Sequence, residues 1–110
     1  MRKIVFPNYE HCVLNLINSI LRKYNVQTNY KGLPVLDEKL KENYENIVLI
    51  ILDGMGNNIL ENISKNGFFN KNKIDKITSV SPSTTTAAIT TYYSGKPPIE
   101  TRMDMYVTIF

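Results

Sequence analysis

The sequence is poor in the groups that staple secreted proteins or anchor membrane proteins. One cysteine, Cys12, stands among 110 residues, so no internal disulfide can form. The longest purely apolar run, residues 47–52, falls far short of the ~20 residues that cross a bilayer. No apolar segment with a small-residue cleavage site follows Met1, so a reducing cytoplasm is the expected compartment. Asn62-Ile63-Ser64 matches a glycosylation acceptor, which reads as chance without a secretory signal. Charge of one sign is also scarce: 13 basic against 10 acidic residues leave +3, which solvated lysines explain without an anionic partner. A single histidine, His11, beside only four aspartates (Asp37, Asp53, Asp75, Asp104), cannot furnish a histidine-rich metal site.

With 43% hydrophobic and 21% charged residues the composition is that of an ordinary globular chain. At this size roughly two thirds of the unfolded surface can be buried. Residues 3–6 form a short apolar stretch closed by Pro7, after which Asn8 is a good N-cap and Glu10 suits a first helical turn. Val13, Leu16, Ile17, Ile20 and Tyr24 follow helical spacing, with Leu14 and Leu21 widening the stripe, and predict an amphipathic helix over residues 9–24. Residues 25–45 read as a polar connection punctuated by Gly32 and Pro34, with a short helix over 37–44.

Residues 47–52 read Ile-Val-Leu-Ile-Ile-Leu without polar alternation, which suits a strand buried on both faces of a parallel sheet. The run stops at Asp53-Gly54-Met55-Gly56, and Ile59, Leu60 and Ile63 predict a helix over 57–66 with Gly67 at C′. A second strand is expected over 77–80, then a helix over 84–94 stopped by Gly95, Pro97 and Pro98. Two strand-then-helix units indicate an α/β sheet whose ligands gather at the carboxyl ends of the strands. Residues 105–110 read as a further strand without a later element to cover it, so the chain is expected to be the front part of a longer domain.

Asp53, closing a buried strand, would be costly as a carboxylate unless a cation or several donors held it. It is either a metal ligand or a loop residue that accepts amides of residues 54–57 and caps the next helix. The turn 54–59 begins like a dinucleotide fingerprint, but Ile59 replaces the third glycine, and Asp53 would repel a pyrophosphate. Thr84, Thr85 and Thr86 stand where the later helix begins, so an oxygen nucleophile there would gain from the helix dipole and free amides. The bland alternative makes them caps and surface residues. His11 is remote in sequence, which leaves metal coordination as the route to an activated hydroxyl. His11 and Cys12, adjacent on one helix, face different directions and suit core or surface roles. Lys65, Lys71, Lys73 and Lys76 around Phe68 and Phe69 could form a small single-strand nucleic-acid platform; more often such phenylalanines anchor a solvated loop, and no nucleic-acid or membrane partner is expected.

Together, residues 47–56, the stretch Ser81-Pro82-Ser83-Thr84-Thr85-Thr86-Ala87-Ala88, and Ser94-Gly95-Lys96-Pro97-Pro98 resemble the alkaline phosphatase superfamily, above all its nucleotide pyrophosphatase/phosphodiesterase branch. The resemblance covers about residues 47–110 and, more loosely, 7–40. It implies the N-terminal part of an α/β/α sandwich with a mostly parallel sheet, two divalent metal ions, usually zinc, and a Thr or Ser alkoxide that attacks phosphorus. Carried over, Asp53 is the first-strand metal ligand and Thr85 the nucleophile bound to the same metal, with Thr84 as the one-residue alternative. The implied substrate is a phosphoester or nucleotide-like small molecule. The chain departs from the pattern at Glu100-Thr101-Arg102, where many relatives have Glu-His-Gly, and at Tyr106, where many have tryptophan. The family's remaining metal ligands have no counterpart within these 110 residues, so the single domain 1–110 is expected to be incomplete and nearly inactive alone. Two alternatives are a catalytically inert α/β fragment or interaction module that retains the motifs, and a small nucleic-acid-binding domain.

Overall fold

The structure, a computed structural model, describes residues 4–101. Among the described residues there are six helices: α1 Val13–Lys23, α2 Pro34–Lys39, α3 Asn57–Asn62, α4 Phe68–Asn72, α5 Thr85–Ser94 and α6 Pro98–Thr101. They divide between two compact units. The first takes its described residues from 4–43 and 77–101, and the second is Tyr44–Lys76.

In the first unit α1 packs against α2 and α5, and α5 against α6. The core cluster is Cys12, Val13, Leu14, Val80 and Ala87, lined by Tyr30, Ile77, Ala88 and Tyr92. Ala87 and Thr91, one turn apart on α5, are small enough for a neighbouring helix to come close, and the buried Thr91 hydroxyl donates to the Ala87 carbonyl (3.0 Å). α1 begins later than its apolar spacing predicts. Asn8 closes a turn instead of capping: its Oδ1 accepts from the Glu10 amide (3.1 Å) and its carbonyl from the His11 amide (2.8 Å). Cys12 is the N-cap, and Asn15 Oδ1 accepts the Cys12 amide (2.8 Å). Residues 11 and 12 are held to Thr78, whose carbonyl accepts the Val13 amide (3.1 Å) and whose amide donates to the His11 carbonyl (3.2 Å), and Cys12 is extended. At the other end Arg22 and Lys23 oppose the helix dipole, and Asn25 turns the chain at φ 59°, a left-handed conformation that asparagine tolerates.

The buried face of α1 is not the apolar stripe alone. Asn15, Asn18 and Ser19 are as buried as Leu14. Each is satisfied by backbone from outside the helix: Asn15 Nδ2 donates to the Lys31 carbonyl (3.1 Å), Asn18 Nδ2 to that of Gly95 (3.0 Å), and the Leu33 amide donates to Ser19 Oγ (2.7 Å). Tyr24, counted in the apolar stripe, is exposed. The short helix expected at 37–44 forms earlier, because Pro34 at the first helical position is already set for it.

The expected α/β fold, with its mostly parallel sheet, is not present: the described residues contain no sheet, only an isolated parallel bridge between Cys12 and Thr78. Residues 77–80 contribute that bridge and are otherwise irregular. Residues 47–52 are neither strand nor core. They make no backbone hydrogen bond among the described residues, and Val48 and Ile50 are 79% and 74% exposed. A β-branched apolar run forms a strand only when neighbours complete its ladder and cover its faces, and the described residues supply none. The strand expected at 105–110 lies outside the described residues.

In the second unit the helix expected over 57–66 ends at Asn62, and Gly67 serves as the N-cap of α4 rather than the C′ residue of α3. Asn70 explains the break, because its Nδ2 donates to the carbonyls of both Leu60 (2.9 Å) and Ser64 (3.0 Å) and so fixes a turn between the two helices.

α5 runs close to its predicted limits, with Thr84 as N-cap and Gly95 in the left-handed region at φ 65°. A Cβ on Gly95 would lie 2.6 Å from Leu21 Cδ1. Gly95→Ala is therefore expected to destabilise the chain by about 2 kcal/mol, the left-handed penalty plus displacement of Leu21, read as a lower urea midpoint with α-helical circular dichroism retained. For the exposed run, Ile50→Lys removes no buried contact but places a charge in a strand-prone, uncharged segment. It is expected to leave the circular dichroism unchanged and to suppress concentration-dependent aggregation in light scattering.

Candidate functional site

Thr84 and Thr85 sit at the start of α5 and have different roles. Thr84 is extended (φ −88°, ψ 155°), and its Oγ1 accepts the Ala87 amide (3.2 Å) while its carbonyl accepts the Ala88 amide (3.0 Å). Its hydroxyl is committed to capping. Thr85 is the first helical residue, exposed, and its hydroxyl makes no hydrogen bond among the described residues. The backbone amides of Thr85 and Thr86 belong to the first turn, where no helical carbonyl can accept them, and they stay open to an anion. Of the two alternatives, Thr84 and Thr85, Thr85 has the hydroxyl without a partner among the described residues, a state it shares with the exposed Thr86.

Asp53 lies in the second unit, in a turn with Gly54 at φ 69°. Its Oδ1 accepts the Gly54 amide (2.9 Å), and the side chain is otherwise exposed. No strand buries it; the loop alternative holds in part, since Asp53 accepts the Gly54 amide, but α3 is capped at Gly56 without a side-chain bond. Among the described residues no three His, Cys, Asp or Glu side chains come together as a metal site. A tetrahedral zinc takes about four ligands, so the residues described here do not by themselves fit a two-zinc centre.

Phe68 and Phe69, expected to anchor their loop in a core, do not. They are 75% and 44% exposed and meet edge to face, ring centroids 5.7 Å apart at 78°. Lys73 Nζ donates to Asn57 Oδ1 (2.5 Å) in the same unit. His11 is half-buried beside the Thr78 bridge and Cys12 is fully buried. Burial pushes the Cys12 thiol above its ordinary range, against a smaller opposing effect of the Leu14 and Asn15 amides. Tyr92 is also pushed up, first by burial and then by the neighbouring Cys12. These groups make Cys12 a core thiol, not a nucleophile.

A groove in the first unit went unsuspected in the sequence. It lies at the opposite end of α5, between the last turn of α1, the connection through residues 26–30 and the Gly95 turn, and has a volume of about 810 Å³. Neither hydrophobic periodicity nor a motif marks it, because its walls come from three separate stretches of chain. No helix among the described residues is long and apolar enough to cross a membrane. No protein-family model, curated protein or solved structure matches the chain.

The raised pKa values give a signed pH dependence. Folding favours the neutral thiol and phenol, so their contribution is complete below the unfolded values, about 8.5 for cysteine and 10 for tyrosine, and is lost as pH rises through the folded ones. The urea midpoint is expected to fall between neutral pH and pH ~11. Cys12→Ala is expected to flatten that fall, since it removes both the thiol and its effect on Tyr92.

Proposed function

We propose that this chain carries the nucleophile segment of a metal-dependent phosphoester hydrolase of the phosphodiesterase/nucleotide pyrophosphatase type, with Thr85 as the attacking residue and Asp53 as a metal ligand. The observation that carries the reading is the division of labour at the start of α5, where Thr84 closes the helix and Thr85 presents an uncommitted hydroxyl beside two open amides. Those amides suit a phosphoryl oxygen, which gathers charge as the Thr85 oxygen approaches phosphorus. The motif resemblance through residues 81–88 and 94–98 supports the same assignment. The divalent metals of such enzymes, usually zinc, would supply charge neutralisation and a lowered hydroxyl pKa. Their remaining ligands would have to come from outside the described residues. Substrates would be phosphodiesters or nucleotide-like pyrophosphates, and the compartment a reducing cytoplasm, in keeping with a lone buried thiol.

A catalytically inert module that keeps the two motifs is the second reading, favoured by the exposed run at residues 48–52, which suits contact with another surface better than chemistry. The two separate in a zinc-supplemented assay with an aryl phosphodiester, comparing the 110-residue chain with one extended by whatever coding sequence follows Phe110. The expected outcome is negligible turnover by the shorter chain and clear turnover by the longer one. Thr85→Ala in the longer chain should lower turnover at least about a thousandfold, whereas Thr84→Ala should lower stability by about 1 kcal/mol. Turnover that survives Thr85→Ala overturns the nucleophile assignment, and an inert extended chain favours the second reading.

A further inference from the structure

From the groove at the carboxyl end of α5 we infer a binding site for a small polyhydroxylated anion, separate from Thr85. α5 has ten residues, so its two ends stand about 15 Å apart. The volume of about 810 Å³ lies within the range of small-molecule sites, ~300–1,000 Å³.

Asn18 forms a pre-organised base. It is fully buried and ties the three walls together: Nδ2 donates to the Leu14 carbonyl (2.8 Å) within α1 and to the Gly95 carbonyl (3.0 Å) after α5, while Oδ1 accepts the Thr28 hydroxyl from the connecting segment. A ligand entering this groove does not have to order it. The charge is set at the rim by Arg22, Lys96 and Glu100. One guanidinium nitrogen of Arg22 donates to the Tyr30 carbonyl (2.5 Å), which orients the group and leaves its other donors for a ligand. The Lys96 ammonium and Glu100 carboxylate make no ion pair or hydrogen bond among the described residues.

Two helix ends meet here, and exposed C-terminal carbonyls would repel an anion. They are partly occupied, while the last three carbonyls of α5, those of Tyr92, Tyr93 and Ser94, have no partner among the described residues. The Ile20, Leu21 and Arg22 carbonyls accept amides of residues 24–26, the Thr91 carbonyl accepts the Gly95 amide (2.9 Å), and the Thr90 carbonyl accepts the Ser94 hydroxyl (2.7 Å). Arg22 and Lys96 set positive charge against the carbonyls that stay open. Leu21, Val26 and the Tyr30 ring give apolar surface to a lining whose other side chains are amides, hydroxyls and charges. That composition disfavours an apolar ligand and suits one whose body carries hydroxyl groups, its anion between Arg22 and Lys96 and a hydroxyl on Glu100.

The anion could be a phosphate or a carboxylate, and the test separates them. In the full chain, the Asn18 side-chain amide and the Gly95 backbone amide are followed by nuclear magnetic resonance during titration with ribose 5-phosphate, ribonate and neutral ribose. Saturable shifts with either anion, and much weaker binding of ribose, are expected, the tighter anion naming the source. Lys96→Gln, whose side chain holds nothing in the fold, should weaken binding about tenfold. Arg22→Gln should weaken it at least as much, with circular dichroism checking the connection to Tyr30. Three outcomes each overturn the site: no saturable shift at tens of millimolar of either anion, ribose binding as tightly as its phosphate, or Lys96→Gln binding unchanged.

Discussion

The first unit depends on a row of polar side chains buried on α1. Asn15, Asn18 and Ser19 occupy positions where a simple amphipathic helix would put leucine, and each reaches backbone that belongs to no regular element. A buried amide without a partner costs about 1–3 kcal/mol, so these residues stabilise the unit only while the segments through Lys31, Leu33 and Gly95 stay in place. The reverse holds too, since those backbone groups would be orphaned if the helix left. Apolar contact among Leu14, Val80 and Ala87 is non-directional and tolerates sliding. The amide row does not, and it gives a small helical unit a single register.

Gly32 and Gly95 follow from the same constraint. A Cβ on Gly32 would lie 2.5 Å from Ser19 Oγ and 2.7 Å from Asp37 Oδ1, so the chain passes the polar face of α1 only without a side chain. Gly95 ends α5 in the left-handed conformation and offers its carbonyl to Asn18. The residue that terminates one helix thereby locks it to another, and the groove's base is a by-product of that lock.

What the sequence made legible was local chemistry. The end of α5 could be read because Gly95 and the two prolines act within a few residues of where they stand, and the threonine cap because it needs only its own first turn. The apolar stripe of α1 was legible for the same reason, although its start was not, because Thr78, from far along the chain, holds Cys12 extended in a bridge. The buried asparagines were unreadable in periodicity, which counts them as solvent-facing. The sheet was the largest misreading. Residues 47–52 carry every compositional mark of a buried strand, but strand formation is a property of neighbours, and none is present among the described residues. The expected burial of Asp53 fell with it.

The two anion sites proposed at the ends of α5 would rest on different physics. At its start, Thr85 and Thr86 offer uncommitted amides reinforced by the helix dipole, a field fixed in the backbone and effective only within the first turn. At its end the dipole has the wrong sign for an anion. Attraction there would have to come from Arg22 and Lys96, exposed side chains whose effect falls with ionic strength, against the open carbonyls of Tyr92, Tyr93 and Ser94. The first proposed site would therefore select by geometry, admitting a group small enough to approach two amides beside a hydroxyl. The second would select by net charge and hydrogen-bonding capacity across a wider opening. A phosphoryl group poised for attack needs the former, since misplacement by about 1 Å can cost a hundredfold in rate, whereas a ligand that is only held can rely on the latter.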